Sequence, residues 1–206
     1  MMLVIDTCSV ACQVALADET GRIIASLCEE LGRGHAERLM PMIDEVLQEH
    51  GFEAVTAVTV CSGPGSFTGV RTGLAAARGL ALALNCPCFG VSSFEAIAQD
   101  LHPWGGNNLC VAMDAKRGEL WLQSFAPSGT ALAGPTAVQV ADFASHVDNG
   151  SYLAGSAAHL ASNGHTILTD RSYPSLSGLA AVAIADPEGR VPAPLYLREP
   201  DAKPQG

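Results

Sequence analysis

The chain has 206 residues, 48% of them apolar and 16% charged, which is enough to bury a core in one compact domain or two small lobes. A formal net charge of −10 without any Lys/Arg cluster excludes tight, direct binding of nucleic-acid phosphates through this chain alone. A basic partner surface fits that charge better.

Residues 2–7 (MLVIDT) form a continuous apolar run ending in Asp-Thr, the pattern of a buried strand that delivers polar groups at its C-terminal end. The stretch before Asp6 has no basic n-region, so it does not read as a secretory leader. Residues 12–18 alternate loosely, 18–21 form a turn, and 22–30 return, predicting two antiparallel strands after the first. Residues 35–50 read as a helix closed by Gly51, with Pro41 expected to kink or restart it. The β-branched stretch 54–62 predicts a buried strand, followed by a glycine-rich loop and a long helix to Leu84. The apolar run from Leu74 to Leu84 is too short to span a bilayer and contains Arg78, so no membrane association is expected and the compartment is the cytoplasm. A short strand after Pro87 and a short helix capped by Ser93 complete this half.

The polar segment 102–108, HPWGGNN, marks a lobe boundary. After it, residues 108–115 repeat the opening theme, a buried strand ending in Asp114, and 116–126 follow as its hairpin partner. Weaker signals follow at 138–147, 151–162, 165–170, a helix-like 176–186, and 192–200, and residues 201–206 read as a frayed tail. The expected architecture is α/β in two lobes, 1–103 and 104–206, with a mixed sheet and an antiparallel edge in the first and a shorter second lobe.

The seven cysteines include no Cys-x2-Cys pair; Cys86 and Cys88 flank one proline, and Cys8 and Cys12 are separated by three residues. Small buried hydrophobes in a reducing compartment are expected, not metal ligands or disulfides. His102, His146, His159 and His165 are scattered and give no dyad or triad by spacing.

In the stretch CSGPGSFTGVRTGLAAARGLALAL, residues 61–84, Gly63, Gly65 and Gly69 allow a sharp turn and a close backbone approach. Ser66 or Thr68 suits the helix cap, and the exposed N–H groups of such a helix start favour anions. The stretch is neither a Walker motif nor G-x-G-x-x-G, and Pro64 removes an N–H that a phosphate cradle would use. On these residues a structural turn and a phosphate site stand about level.

In the helix that follows, Gly69, Gly73, Ala77 and Ala81 make a small-residue stripe that admits a close neighbour, expected to be helix 35–50. Packing on its own sheet accounts for one face and leaves Val70 and Leu74 needing a second cover. Helix 35–50 carries a similar surplus in Ala36, Leu39, Met40, Met42, Ile43, Val46 and Leu47. Together these predict a protein–protein interface of Ala36, Leu39, Met42, Ile43, Val46, Val70, Leu74, Ala77 and Arg78.

The segments MLVIDTCSVACQVAL, GHAERLMPMIDEVL, CSGPGSFTGVRTGLAAARGLA, MDAKRGELW and PLYLR occur in the order found in the TsaB/YeaZ family of bacterial threonylcarbamoyladenosine biosynthesis proteins. The sequence resembles that family over nearly its whole length. The resemblance implies the actin-like ATPase (ribonuclease H-like) fold with the second lobe reduced. It also implies a noncatalytic relative of TsaD, the subunit that transfers a threonylcarbamoyl group to the tRNA adenosine next to the anticodon.

In the catalytic relatives a His-x3-His pair on the helix equivalent to 35–50 holds iron or zinc; here His35 is followed four positions later by Leu39. Asp6 and Asp114 match nucleotide-metal positions of active superfamily members, but the first loop lacks their phosphate-loop glycine. The resemblance therefore implies no catalytic residue, metal or cofactor. Asp6, Thr7, Gly63, Gly65, Ser66, Thr68, Gly69 and Asp114 remain as a vestigial nucleotide site or a structural loop. The implied partners are TsaD, through helices 35–50 and 69–84, TsaE with the TsaB–TsaD pair, and a second copy of the chain when TsaD is absent. The rival class is an independent nucleotide hydrolase using Asp6 and the glycine loop, or a glycoprotease-like peptidase.

Overall fold

Strand β1 (Met2–Asp6) is buried along its whole length, as an apolar run without alternation requires, and it forms the centre of a five-stranded sheet. The computed structural model describes residues 1–160, 164–188 and 190–198; the expected tail at 201–206 lies outside the described residues. Strands β2 (Ala11–Ala17) and β3 (Ile23–Glu30) follow as an antiparallel meander on one side of β1. On its other side β4 (Ala57–Cys61) and β5 (Cys88–Val91) run parallel, giving the order β3-β2-β1-β4-β5.

Helix α1 (His35–Leu47) packs over β2, and α2 (Phe67–Leu84) packs over β4 and against α1. Pro41 lies inside α1 without ending it, which corrects the expectation of a restart. Pro41 and Glu37 are both exposed, so the Glu37 carbonyl that loses its helical donor lies on the solvent side of the helix. The predicted strand 54–62 is shorter, because Phe52–Ala54 is a 3-10 turn that leads into β4. Helix α3 (Ser93–Leu101) is capped by Ser92, one residue before the expected Ser93. The Ser92 hydroxyl accepts from the Glu95 N–H at 3.1 Å, and the Glu95 carboxylate accepts from the Ser92 N–H at 3.0 Å.

The second sheet repeats the first. Strand β6 (Leu109–Asp114) pairs antiparallel with β7 (Glu119–Phe125), which pairs antiparallel with β8 (Thr136–Gln139). Strands β9 (Tyr152–Ala154) and β10 (Thr166–Thr169) lie parallel on the other side of β6, so the order β8-β7-β6-β9-β10 matches β3-β2-β1-β4-β5. Where α1 links β3 to β4, only a 3-10 turn (Val140–Ser145) separates β8 from β9. This doubled order, with a trimmed second copy, is the two-lobed actin-like α/β fold.

Helix α4 (Leu176–Ala185) follows the second sheet in sequence but packs on the first, touching β1, β2, β4 and β5 on the side away from α1 and α2. Leu179, Ala180 and Ala183 of α4 are buried in the same apolar cluster as β1, α1 and α2. The chain then runs as an extended strap. The Arg190 carbonyl accepts from the Gly90 N–H at 3.0 Å, and the Leu195 N–H donates to the Ser62 carbonyl at 2.8 Å. Arg198 ends the strap in a 2.7 Å ion pair with Glu119 on β7.

Candidate functional site

The C-terminal ends of β1 and β6 open onto one cleft of about 780 Å³ between the lobes. Asp6, Cys8, His35, Ser66, Asp114 and Trp121 line it. Placing loops at the ends of central strands is how open α/β sheets build ligand crevices, so this is where the predicted loop residues had to meet. Asp6, Gly65, Ser66, Thr68, Gly69 and Asp114 do border it.

Their contacts are largely with one another. The Thr7 hydroxyl donates to the Gly69 carbonyl at 2.6 Å, and the Ser66 N–H donates to the Cys8 carbonyl at 2.7 Å. A Cβ on Gly65 would overlap the Cys8 carbonyl oxygen, and one on Gly69 would overlap that of Thr7. One on Gly73 would stand 2.6 Å from the Thr7 hydroxyl. At Gly69 and Gly73 the small-residue stripe therefore receives the β1–β2 loop and Val60 of the neighbouring strand β4. Gly63 turns at φ 101°, its peptide to Pro64 is cis, and its carbonyl accepts from the Ser93 N–H at 2.8 Å. Ser66, not Thr68, caps α2, accepting from the Gly69 N–H at 3.0 Å.

The two strand-ending aspartates stand in opposite environments. Asp6 is fully buried, and its carboxylate accepts from the Cys8 N–H at 2.8 Å and the Gln13 amide at 3.1 Å, both neutral donors. Burial pushes its carboxyl above the usual carboxylate range, against the pull of those bonds. Asp114 accepts from the Lys116 N–H at 2.7 Å and pairs with the Lys116 ammonium at 2.6 Å, which together hold its carboxyl below the usual range despite partial desolvation.

His35 begins α1, and its Nε2 is buried without a hydrogen-bond partner among the described residues; Trp121 Nε1 is in the same state. Both residues line the cleft, and the sequence signalled neither as a pair. Leu39, one turn after His35, is 1% exposed and lies in the core.

The predicted interface requires a correction. Leu39, Met42, Ile43, Val46, Val70, Leu74 and Ala77 are all buried in the chain's own core, between the sheet and the contact of α1 with α2. A helix wedged between a sheet and a neighbouring helix hides two flanks, so its apolar surplus is used within the monomer. Ala36 and Arg78 are exposed, but the Arg78 guanidinium donates to the Pro192 carbonyl and holds the strap. What α1 and α2 show to solvent is different: Met40 at 45% and Leu82 at 84% exposure, with Ala75, Gly79 and Ala83 beside Leu82.

Reasoning from spacing also missed a cluster of donor atoms. Cys8 and Cys61 are distant in sequence, yet one ligand-capable atom each of Asp6, Cys8 and Cys61 lie within 4.8 Å of one another, all buried. The link is register: β1 runs parallel to β4 with Ile5 opposite Val60, which brings Cys61 beside the residues that follow.

The family model for TsaD, tRNA N6-adenosine threonylcarbamoyltransferase, matches residues 23–202. The tRNA threonylcarbamoyladenosine biosynthesis protein TsaB of Escherichia coli is 39% identical over 126 residues, 58% of this chain and 52% of that protein. The chain thus aligns with about half the length of that relative. An uncharacterized protein of Mycobacterium tuberculosis is 38% identical over 84% of this chain and 79% of its own. The solved structure of YeaZ from Pseudomonas aeruginosa shares 30% identity and a TM-score of 0.77, covering 95% of this chain and 99% of that one. No helix among the described residues is long and apolar enough to cross a membrane.

Proposed function

We infer the function from one premise: this chain belongs to the TsaB/YeaZ family, within the wider TsaD family. We propose that it acts in threonylcarbamoyladenosine modification of tRNA as a noncatalytic subunit that binds and activates TsaD, which performs the transfer. The observation that supports a noncatalytic role is the filling of the glycine loop. The backbone of Thr7 and Cys8 occupies the ground against Gly65 and Gly69 that a phosphate would need, and Asp114 is engaged by Lys116.

The proposed pairing surface is the solvent side of α1 and α2, centred on Met40, Ala75, Gly79, Leu82 and Ala83. Around Gly79 a Cβ would meet nothing within 4 Å, so the backbone there is open to close helix packing. In this reading TsaE joins the assembled pair, the same surface supports a homodimer when TsaD is absent, and the protein works in the cytoplasm.

The test is co-purification with TsaD and a threonylcarbamoyl-transfer assay with and without this chain. Transfer is expected to require the chain, while the chain by itself neither modifies tRNA nor turns over ATP appreciably. Robust ATP turnover by the isolated chain that disappears in Asp6→Ala would instead establish the hydrolase reading.

A further inference from the structure

We propose that Asp6, Cys8 and Cys61 form a binding site for a thiophilic divalent cation of the zinc and cadmium class, at the floor of the inter-lobe cleft. Three observations converge on it. One ligand-capable atom from each residue lies within 4.8 Å of the other two, and the residues are 0%, 2% and 1% exposed. Asp6 is a buried carboxyl group that accepts from the Cys8 N–H and the Gln13 amide, both neutral donors, and among the described residues no cationic side chain pairs with it. The cluster is reachable, because Asp6, Cys8 and Ser93 line the cleft while Cys61 lies behind them, its sulfur 3.2 Å from the Ser93 hydroxyl.

The donor chemistry selects the ion. Two sulfurs and one carboxylate oxygen suit a borderline-soft cation that takes tetrahedral ligands, and disfavour magnesium or calcium, which prefer all-oxygen shells. At typical zinc–sulfur and zinc–oxygen lengths the ligand atoms of a tetrahedron stand about 3.5–3.8 Å apart. The three donor atoms already lie within 4.8 Å of one another, so the approach required is small.

Binding exchanges existing contacts for metal bonds. The Cys8 thiol now donates to the Cys61 carbonyl at 3.2 Å. On binding, Cys8 and Cys61 each give up their thiol proton to solvent, and Asp6 coordinates as the carboxylate, releasing any proton it carries. The three ligands join the end of β1 to the end of β4, so an ion here would clasp two strands at the point where both enter the glycine-loop region.

The experiment titrates the reduced, chelator-treated full-length protein with Co²⁺ and records its absorption. One equivalent is expected to produce a thiolate-to-cobalt charge-transfer band together with the intense visible bands of a tetrahedral ion. Asp6→Asn should weaken Co²⁺ binding at least about 10-fold, the lower end of what metal sites lose with even an outer-shell partner. Cys8→Ser and Cys61→Ser should each remove most of the charge-transfer intensity. The triple variant Cys28→Ser/Cys86→Ser/Cys88→Ser alters only exposed or half-buried thiols and should keep the band, so the result stands even where a buried substitution disturbs folding. A wild-type titration without charge-transfer absorption, or a band lost in the triple variant, overturns the proposal.

Discussion

Two glycines of one segment, Gly65 and Gly79, stand in opposite surroundings. A Cβ at Gly65 meets the Cys8 carbonyl, whereas at Gly79 it meets open space on an exposed helix face. Gly65→Ala and Gly69→Ala are therefore expected to cost about 1–3 kcal/mol or more, since backbone must shift to admit the methyl. Gly79→Ala should add about 0.5–1 kcal/mol of stability by removing helical glycine. Urea denaturation of the three variants checks both signs; a stable Gly65→Ala would mean the loop is not packed as described. At this scale the sequence was legible only in part. The glycines announced a close approach, but not whether ligand or chain approaches, because a missing side chain is silent about what fills its place.

At the scale of elements, the order of strands and helices in the first half followed from apolar periodicity, and the boundaries moved by a few residues. The interface did not follow. Counting apolar positions on α1 and α2 cannot separate surface from the second flank of a helix packed against another helix. That distinction changes what each substitution should do. Ile43→Glu buries an unpaired charge in the core, where Ile43 is 0% exposed, and should unfold the protein. Leu82→Glu, at 84% exposure, should leave it folded while abolishing self-association and TsaD binding. Circular dichroism with light scattering separates the outcomes, and a folded, dimeric Leu82→Glu would move the pairing surface elsewhere.

Helix α3 supplies a pH test. Burial raises the Glu95 carboxyl, but hydrogen bonds from Ser92 and the 3.0 Å pair with Arg190 outweigh it, leaving the group below its usual value of 4.5. A carboxyl lowered by folding contributes stability at neutral pH that is lost as pH falls through the folded value. Glu95→Gln should cost on the order of 1 kcal/mol near pH 7, and the gap to wild type should close as pH falls below the usual carboxylate range. A gap that stays constant with pH in thermal melts would show that the charge contributes nothing.

For the whole molecule, charge sets the expected division of labour. At net −10, the isolated protein should show no tRNA gel shift at physiological salt, where nonspecific binders of DNA reach dissociation constants of about 10⁻⁴ to 10⁻⁶ M. Saturable, salt-sensitive tRNA binding would contradict this. The doubling of the fold was half visible, in two apolar strands each ending in aspartate. The return of α4 to the first sheet was not, because a helix with apolar residues on every side says that it is buried and not against what. That return also governs the protein's birth on the ribosome. When α3 has emerged, one face of the first sheet still lacks its cover, and residues 102–185 must be made before α4 can supply it. At about 5–20 residues per second, the nascent chain carries a bare apolar sheet for about 4–17 s. During that interval chaperones and proteases meet it uncovered, so substitutions that loosen α4 should lower cellular yield more than the stability of the finished protein would suggest.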